Sequence, residues 1–117
     1  MNDQNERFYT SKIVLDAETV GAKAFRFSDK GRREFNPTPF DNIVWFPLDG
    51  HKIAFVEMKI GNAKLTDKEF EFAKNNASNH ITLRVFPESF YVHTLNKDRI
   101  RICDTLQDCI EEIKEMI

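Results

Sequence analysis

At 117 residues, with 41% hydrophobic and 31% charged side chains, the chain is long enough for one modest core and too short for a nucleotide-hydrolysing motor. Two cysteines, Cys103 and Cys109, have neither a paired framework nor metal-ligand spacing, which excludes a disulfide scaffold and leaves reduced, partly buried thiols. The formal net charge is −2, and no apolar run approaches a membrane span or a signal core, so the expectation is a cytoplasmic protein with no membrane partner.

The expected organisation is a single domain over residues 1–117, with 1–6 a flexible polar start and 104–117 a C-terminal helix. A first helix is expected from about Arg7 to Val20, with Ile13, Val14, Ala17 and Val20 on one stripe and Gly21 as its stop. A strand, Lys23 to Phe27, follows. The segment Lys30-Gly31-Arg32-Arg33 reads as a basic loop, and Pro37 and Pro39 cannot donate to a ladder, which delays strand entry to Asp41.

The next strand, Asn42 to Phe46, is joined through Pro47-Leu48-Asp49-Gly50-His51 to a nearly continuous apolar run, Ile53 to Ile60, as expected of a strand covered on both faces. Glu57 and Lys59 interrupt that run near its end. Residues two apart share a strand face, so Glu57 and Lys59 project together while Val56, Met58 and Ile60 point the other way. The triplet Glu-x-Lys is common, and Glu112-Ile113-Lys114 repeats it in an expected surface helix. A partner acid on the preceding strand would distinguish the first copy from the second.

Turn length decides whether Asp41 is that partner. With a two-residue Asp49-Gly50 loop, Asp41 lands opposite Met58, on the wrong face. With a three-residue loop, Leu48-Asp49-Gly50, opposed residue numbers sum to 98, Asp41 lies opposite Glu57, and Ile43 and Trp45 stack on Phe55 and Ile53. Gly50 suits the left-handed last position of such a turn, and a bulge on the shorter loop would give the same alignment. Opposed side chains sit roughly 5 Å apart at Cβ. Two carboxylates at that range repel unless a cation joins them, and a hard divalent ion, Mg2+ or Mn2+, suits oxygen donors and phosphate substrates. The expected metal set is Asp41, Glu57 and the backbone carbonyl of Met58. Lys59 is left to position or polarise a water and to offset charge on phosphate oxygens, so Asp41, Glu57 and Lys59 are the catalytic candidates.

Beyond the hairpin, Thr66 caps a helix with Glu69 returning the bond and Leu65 able to staple to Phe70; the helix reaches about Asn76 with its N-terminus towards the candidate site. Strands are expected over Ile81 to Phe86 and Phe90 to Leu95. A terminal helix opens with Asp104 and Gln107 as a second capping box and carries Leu106, Cys109, Ile110, Ile113 and Ile117 on one face. The helix between the hairpin and Ile81 makes that strand pair parallel and right-handed. The fold class is therefore α/β, a mixed central sheet of about five strands flanked by helices. His51, His80 and His93 share no ligand spacing and are assigned surface or turn roles.

The order Pro39-Phe40-Asp41, a hairpin, then Val56-Glu57-Met58-Lys59 resembles the PD-(D/E)XK nuclease core. The segment Ile60 to Ala73 resembles endonucleases related to archaeal Holliday junction resolvases. The resemblance spans roughly residues 12–95, with its specific residues within 39–73. It implies a restriction-endonuclease-like core, Mg2+-dependent (or Mn2+-dependent) cleavage of DNA, and a metal acid, ExK acid and lysine at Asp41, Glu57 and Lys59. Phe40 separates the proline from the aspartate. Glu69 stands where several relatives place a glutamine, and many resolvases add an acid from the first helix. Glu18 and Glu69 are accordingly the candidate additional acids, and Glu6 and Glu18 both depart from the family alignment.

Charge distribution agrees with a DNA partner better than the net charge does. From Gly21 to Cys103 there are 14 Lys and Arg against 10 Asp and Glu, and the acids concentrate in the tail. Arg26, Lys30, Arg32, Arg33 and Lys64 are the candidate phosphate contacts, and Phe35 and Phe40 lie near enough to touch nucleic acid. A resolvase acting on a two-fold symmetric junction would be a homodimer, for which the apolar face of the terminal helix is a candidate interface. The alternatives are a non-catalytic nucleic-acid-binding domain and a small α/β interaction protein in which Glu57 and Lys59 form an ordinary ion pair.

Overall fold

Every second residue of the central strands is apolar, and in the computed structural model those residues meet two helices on one side of the sheet. The structure describes residues 5–27 and 39–117, and all structural statements below concern these. The elements are α1 (Asn5–Thr19), β1 (Lys23–Arg26), β2 (Asn42–Phe46), β3 (Lys52–Ile60), α2 (Asp67–Asn75), β4 (His80–Val85), β5 (Phe90–His93), β6 (Ile100–Cys103) and α3 (Leu106–Met116). One mixed sheet follows the order β1-β2-β3-β4-β5-β6. Only β3 and β4 are parallel, because α2 carries the chain back between them; all other neighbours are antiparallel.

Alternation divides the sheet into two unlike faces. Val44 and Phe46, Ala54, Val56 and Met58, Ile81, Leu83 and Val85, and Val92 are buried with Ile13 and Ala17 of α1 and with Leu106, Cys109, Ile110, Ile113 and Met116 of α3. This layer is the hydrophobic core. The opposite face carries Phe55, Glu57, Lys59, His80, Thr82, Arg84, Tyr91 and His93, and α2 lies there through Phe72, whose ring centroid is 5.1 Å from Phe55 and 6.1 Å from His80.

Opposed residue numbers in the β2–β3 hairpin sum to 98, with Ile43 on Phe55 and Trp45 on Ile53. The connection is longer than the three-residue turn expected. Pro47–Asp49 form a 3-10 turn, Gly50 (φ 81°) and His51 (φ 60°) are both left-handed, and the ladder closes at Phe46 and Lys52. Pro47 cannot donate to a ladder but fits the first position of a 3-10 turn. His51 stacks on Trp45 at 5.7 Å, a contact that holds an unusual backbone conformation for a side chain with a Cβ. Both loops are centred on Asp49, so the register survives the difference.

Several other expectations are corrected. The sheet has six strands: β5 ends at His93, and the Thr94–Arg99 turn returns the chain into β6. Helix α1 starts at Asn5, within the segment expected to be a polar start. Ile60, the last residue of β3, is exposed. The cap of α3 is Thr105, whose hydroxyl accepts from the Asp108 N–H at 3.0 Å, in place of Asp104 with Gln107. His80 and His93 are buried strand residues, since the register carries them under the α2 layer and away from the surface assigned to them. The apolar face of α3, offered above as a dimer interface, is consumed by the chain's own core.

Candidate functional site

The site forms where β2 stops short of β3. Asp41 donates its N–H to Val56 O (3.0 Å) and accepts the Phe27 N–H on its own carbonyl (2.8 Å), which locks the residue between two strands. Phe40 anchors it from behind, packing at 5.3, 5.1 and 5.1 Å on Phe27, Phe55 and Phe72. That packing makes Phe40 a structural hub. Asp41 Oδ2 accepts the Met58 N–H at 2.8 Å, so the carboxylate caps the stretch of β3 that has lost its partner strand.

Backbone direction adds a second acceptor there. Phe55 and Gly61 turn their N–H groups to the β4 side, bonding Asn79 O and Val85 O, so the even-numbered residues of β3 face β2. Met58 therefore presents its carbonyl on the edge that holds Asp41, past the last β2 pair at Asn42 and Val56.

Glu57 is 2% exposed and Lys59 is 7% exposed, on the α2 face. The Lys59 ammonium sits 2.9 Å from Glu69 Oε1 but 3.8 Å from Glu57 Oε2. Glu69 also closes the Thr66 capping box, accepting the Thr66 N–H at 2.8 Å, so one helix start positions the lysine. Lys59 thus bridges two acids, hydrogen-bonded to Glu69 and in a longer ion pair with Glu57. Ionised, Glu57 has no hydrogen-bond donor for its buried Oε1.

The acids perturb one another. Burial, then the charges of Asp41 and Glu69, push the Glu57 carboxyl up to about 11. Burial also raises Asp41, against the lowering by the Met58 N–H and Glu57. For Glu69 burial is outweighed by the Thr66 N–H and Lys59, and its carboxyl is lowered. Burial would lower the Lys59 ammonium, but the hydrogen bond and charge of Glu69 raise it.

One member of the group was passed over in the sequence. Glu6, in the first turn of α1, is raised by burial and then feels Lys59, Asp41 and Glu69. Glu18 is exposed near the other end of α1, roughly 18 Å along the helix from Glu6, and does not join the site. The usable signal was that many resolvases draw an acid from the first helix; choosing Glu6 over Glu18 required knowing which end of α1 lies over β3. Among the described residues, Lys59 thus contacts the carboxylates of Glu57 and Glu69, and its charge also acts on those of Glu6 and Asp41.

The basic candidates divide. Lys64 is exposed on the loop after β3, which Arg84 holds by donating to Gly61 O (3.0 Å) and Ala63 O (2.6 Å). Arg26 is exposed but pairs with Asn42, whose amide reaches Thr10 of α1, so Arg26 lies on the α1 face of the sheet and away from Glu57. Lys30, Arg32, Arg33 and Phe35 lie outside the described residues.

Whether these groups suit a metal can be judged from the donors. Among the described residues no three His, Cys, Asp or Glu side chains form a ready ligand cluster. The donors that do converge on the β3 edge are two carboxylates and one peptide carbonyl, all hard oxygens, and a buried carboxylate oxygen without a donor is what a cation would satisfy. The residues therefore fit Mg2+ or Mn2+.

The sequence matches no family model and no curated protein. Among solved structures, Hjc, a Holliday junction resolvase from the archaeal hyperthermophile Archaeoglobus fulgidus, matches with a TM-score of 0.57, covering 91% of this chain and 98% of that one at 13% identity. The fold is resolvase-like. The likeness runs through nearly all of both chains. Among the described residues no helix is long and apolar enough to cross a membrane.

Proposed function

We propose that the chain is a metal-dependent DNA endonuclease that hydrolyses phosphodiester bonds, acting on branched DNA such as a four-way junction. The observation that carries this reading is the buried Glu57 side chain beside Asp41, whose Oε1 has no hydrogen-bond partner among the described residues, while the Lys59 ammonium lies nearer to Glu69 (2.9 Å) than to Glu57 (3.8 Å). Burying such a group is unfavourable unless it serves a ligand, and perturbed acids of this kind concentrate at functional sites.

In this reading Asp41, Glu57 and the Met58 carbonyl would hold Mg2+ or Mn2+, which would supply Lewis-acid stabilisation of charge on the scissile phosphate. Lys59, held by Glu69 at 2.9 Å, directs its ammonium at the phosphate oxygens or an attacking water. Glu69 is a positioning residue for Lys59, and Glu6 adds negative charge that favours a cation. Lys64, and Lys30, Arg32 and Arg33 before the site, contact backbone phosphates without reading bases. The N-terminus of α2, at Thr66–Glu69, brings its positive dipole end to the same side. A two-fold symmetric junction needs two such sites, so this version requires a homodimer built on a surface other than α3.

The deciding experiment compares cleavage of four-way, flap, single-stranded and linear duplex DNA with Mg2+, Mn2+ and chelator. Metal-dependent cutting is expected, best on the branched substrates, and Asp41→Asn should lower it by more than about 100-fold with the fold intact. Undiminished cleavage in that variant, or cleavage in chelator, refutes the proposal.

A further inference from the structure

Four buried side chains have polar atoms without a hydrogen-bond partner among the described residues, and three of them, Glu57, His80 and Thr82, share the α2 face of the sheet. Glu57 and Thr82 are direct partners in the parallel β3–β4 ladder. Their Cα atoms are therefore about 5 Å apart, and both side chains rise from the same face. Glu57 is 2% exposed and Thr82 is fully buried, so neither has water as an easy alternative. A hydroxyl can donate one hydrogen, and an ionised carboxylate can only accept.

The other neighbours of Thr82 narrow its choice. His93 flanks it from β5, but that ring is committed: Nε2 accepts from Arg84 Nε at 3.0 Å, and Nδ1 lies 2.7 Å from Thr94 O, to which it donates. His80 stands two residues along β4, its ring packed edge-on against Phe72. Of the acceptors left to Thr82, Glu57 is its direct ladder partner, and hydrogen bonds to a carboxylate are of the stronger, charge-assisted kind.

We propose that Thr82 is a positioning residue for the metal-binding carboxylate: its hydroxyl, unpaired among the described residues, would donate to the ionised Glu57 and hold that side chain in the orientation that binds a cation. This rests on the metal-site reading above. It makes the site span three strands, with Asp41 leading into β2, Glu57 on β3 and Thr82 supporting from β4. Outer-shell partners that orient a ligating carboxylate typically change metal affinity by about 10–100-fold when removed.

The test is calorimetric titration of the full chain with Mn2+ alone, together with thermal unfolding in chelator. Thr82→Val keeps the shape and deletes the hydroxyl, so it should weaken Mn2+ binding by about 10-fold or more while unfolding in chelator no earlier than the parent. Thr82→Ser should restore the parent affinity. Thr82→Ala provides a second hydroxyl deletion that demands no close packing, and it should weaken binding as Thr82→Val does. Parent-like Mn2+ binding in either hydroxyl-free variant overturns the role of Thr82 and leaves the metal site standing. Absence of Mn2+ binding in the parent protein overturns both.

Discussion

The two faces of the sheet obey different rules. On the α1–α3 face, Val44, Val56, Met58, Leu83, Ile110 and Ile113 are each fully buried against one another, and the layer is almost wholly apolar. On the α2 face, a few ångströms away through the same strands, Glu57, Lys59, His80 and Thr82 are as deeply buried, and three of the four hold unpartnered polar atoms. The comparison teaches that burial alone does not mark a core. What separates the faces among the described residues is where the unsatisfied atoms gather: Asn42 Oδ1 alone lacks a partner on the α1 side, whereas Glu57, His80 and Thr82 all do on the α2 side, which also carries the acids.

That division can be broken by substitution. Ile113→Ala on the apolar face should cost about 2–5 kcal/mol in chemical denaturation, because it opens a cavity in a layer with no slack. Below the lowered melting temperature its metal affinity should equal the parent's. A matching loss of affinity would mean the two faces are coupled in a way the sheet does not suggest.

Glu57→Gln should act in the opposite direction. The folded-state pKa of Glu57 is raised above its unfolded value, so its stabilising contribution is complete below about pH 4.5 and is lost as pH rises towards about 11. Metal-free protein should therefore become less stable from about pH 5 to about pH 9, with a limiting slope of about 1.4 kcal/mol per pH unit from this one group. Glu57→Gln removes the proton linkage, so it should flatten that slope and raise the melting temperature at pH 8 in chelator, while abolishing Mn2+ binding. A parent slope that persists in the variant would show that Glu57 is not the titrating acid.

The smallest effect is expected at Glu69. Glu69→Gln keeps an oxygen for the Thr66 N–H and hence the cap, but it removes the charge that holds Lys59. Stability should change by less than about 1 kcal/mol, whereas cleavage should fall about 10-fold through kcat with KM little altered. An equal drop in Glu69→Gln and in a cap-deleting Thr66→Ala would assign Glu69 to helix stability alone.

Much of this arrangement could be read from the chain. The alternation of Ile53 to Ile60 put Glu57 and Lys59 on one face, and an odd-numbered loop about Asp49 put Asp41 beside them, although the turn itself is a five-residue one with two left-handed positions. Strand β6 escaped notice because four residues with Ile100, Arg101 and Ile102 all exposed carry no alternating burial signal. Glu6 escaped because a helix's phase and direction over a sheet depend on where Ile13 and Ala17 find their cavity, which a one-dimensional pattern does not contain.

By itself, then, the sequence determined the local matters: which segments alternate with period two, where Thr66 starts a helix, and which acids share a strand face. These follow from backbone geometry within a few residues. Tertiary structure alone decided that Lys59 lies nearer to Glu69 than to Glu57, that Glu6 and not Glu18 approaches the site, and that Thr82 stands unpartnered next to Glu57. Each of those contacts joins residues on different elements, and their relative positions come from packing one apolar layer, not from any spacing along the chain.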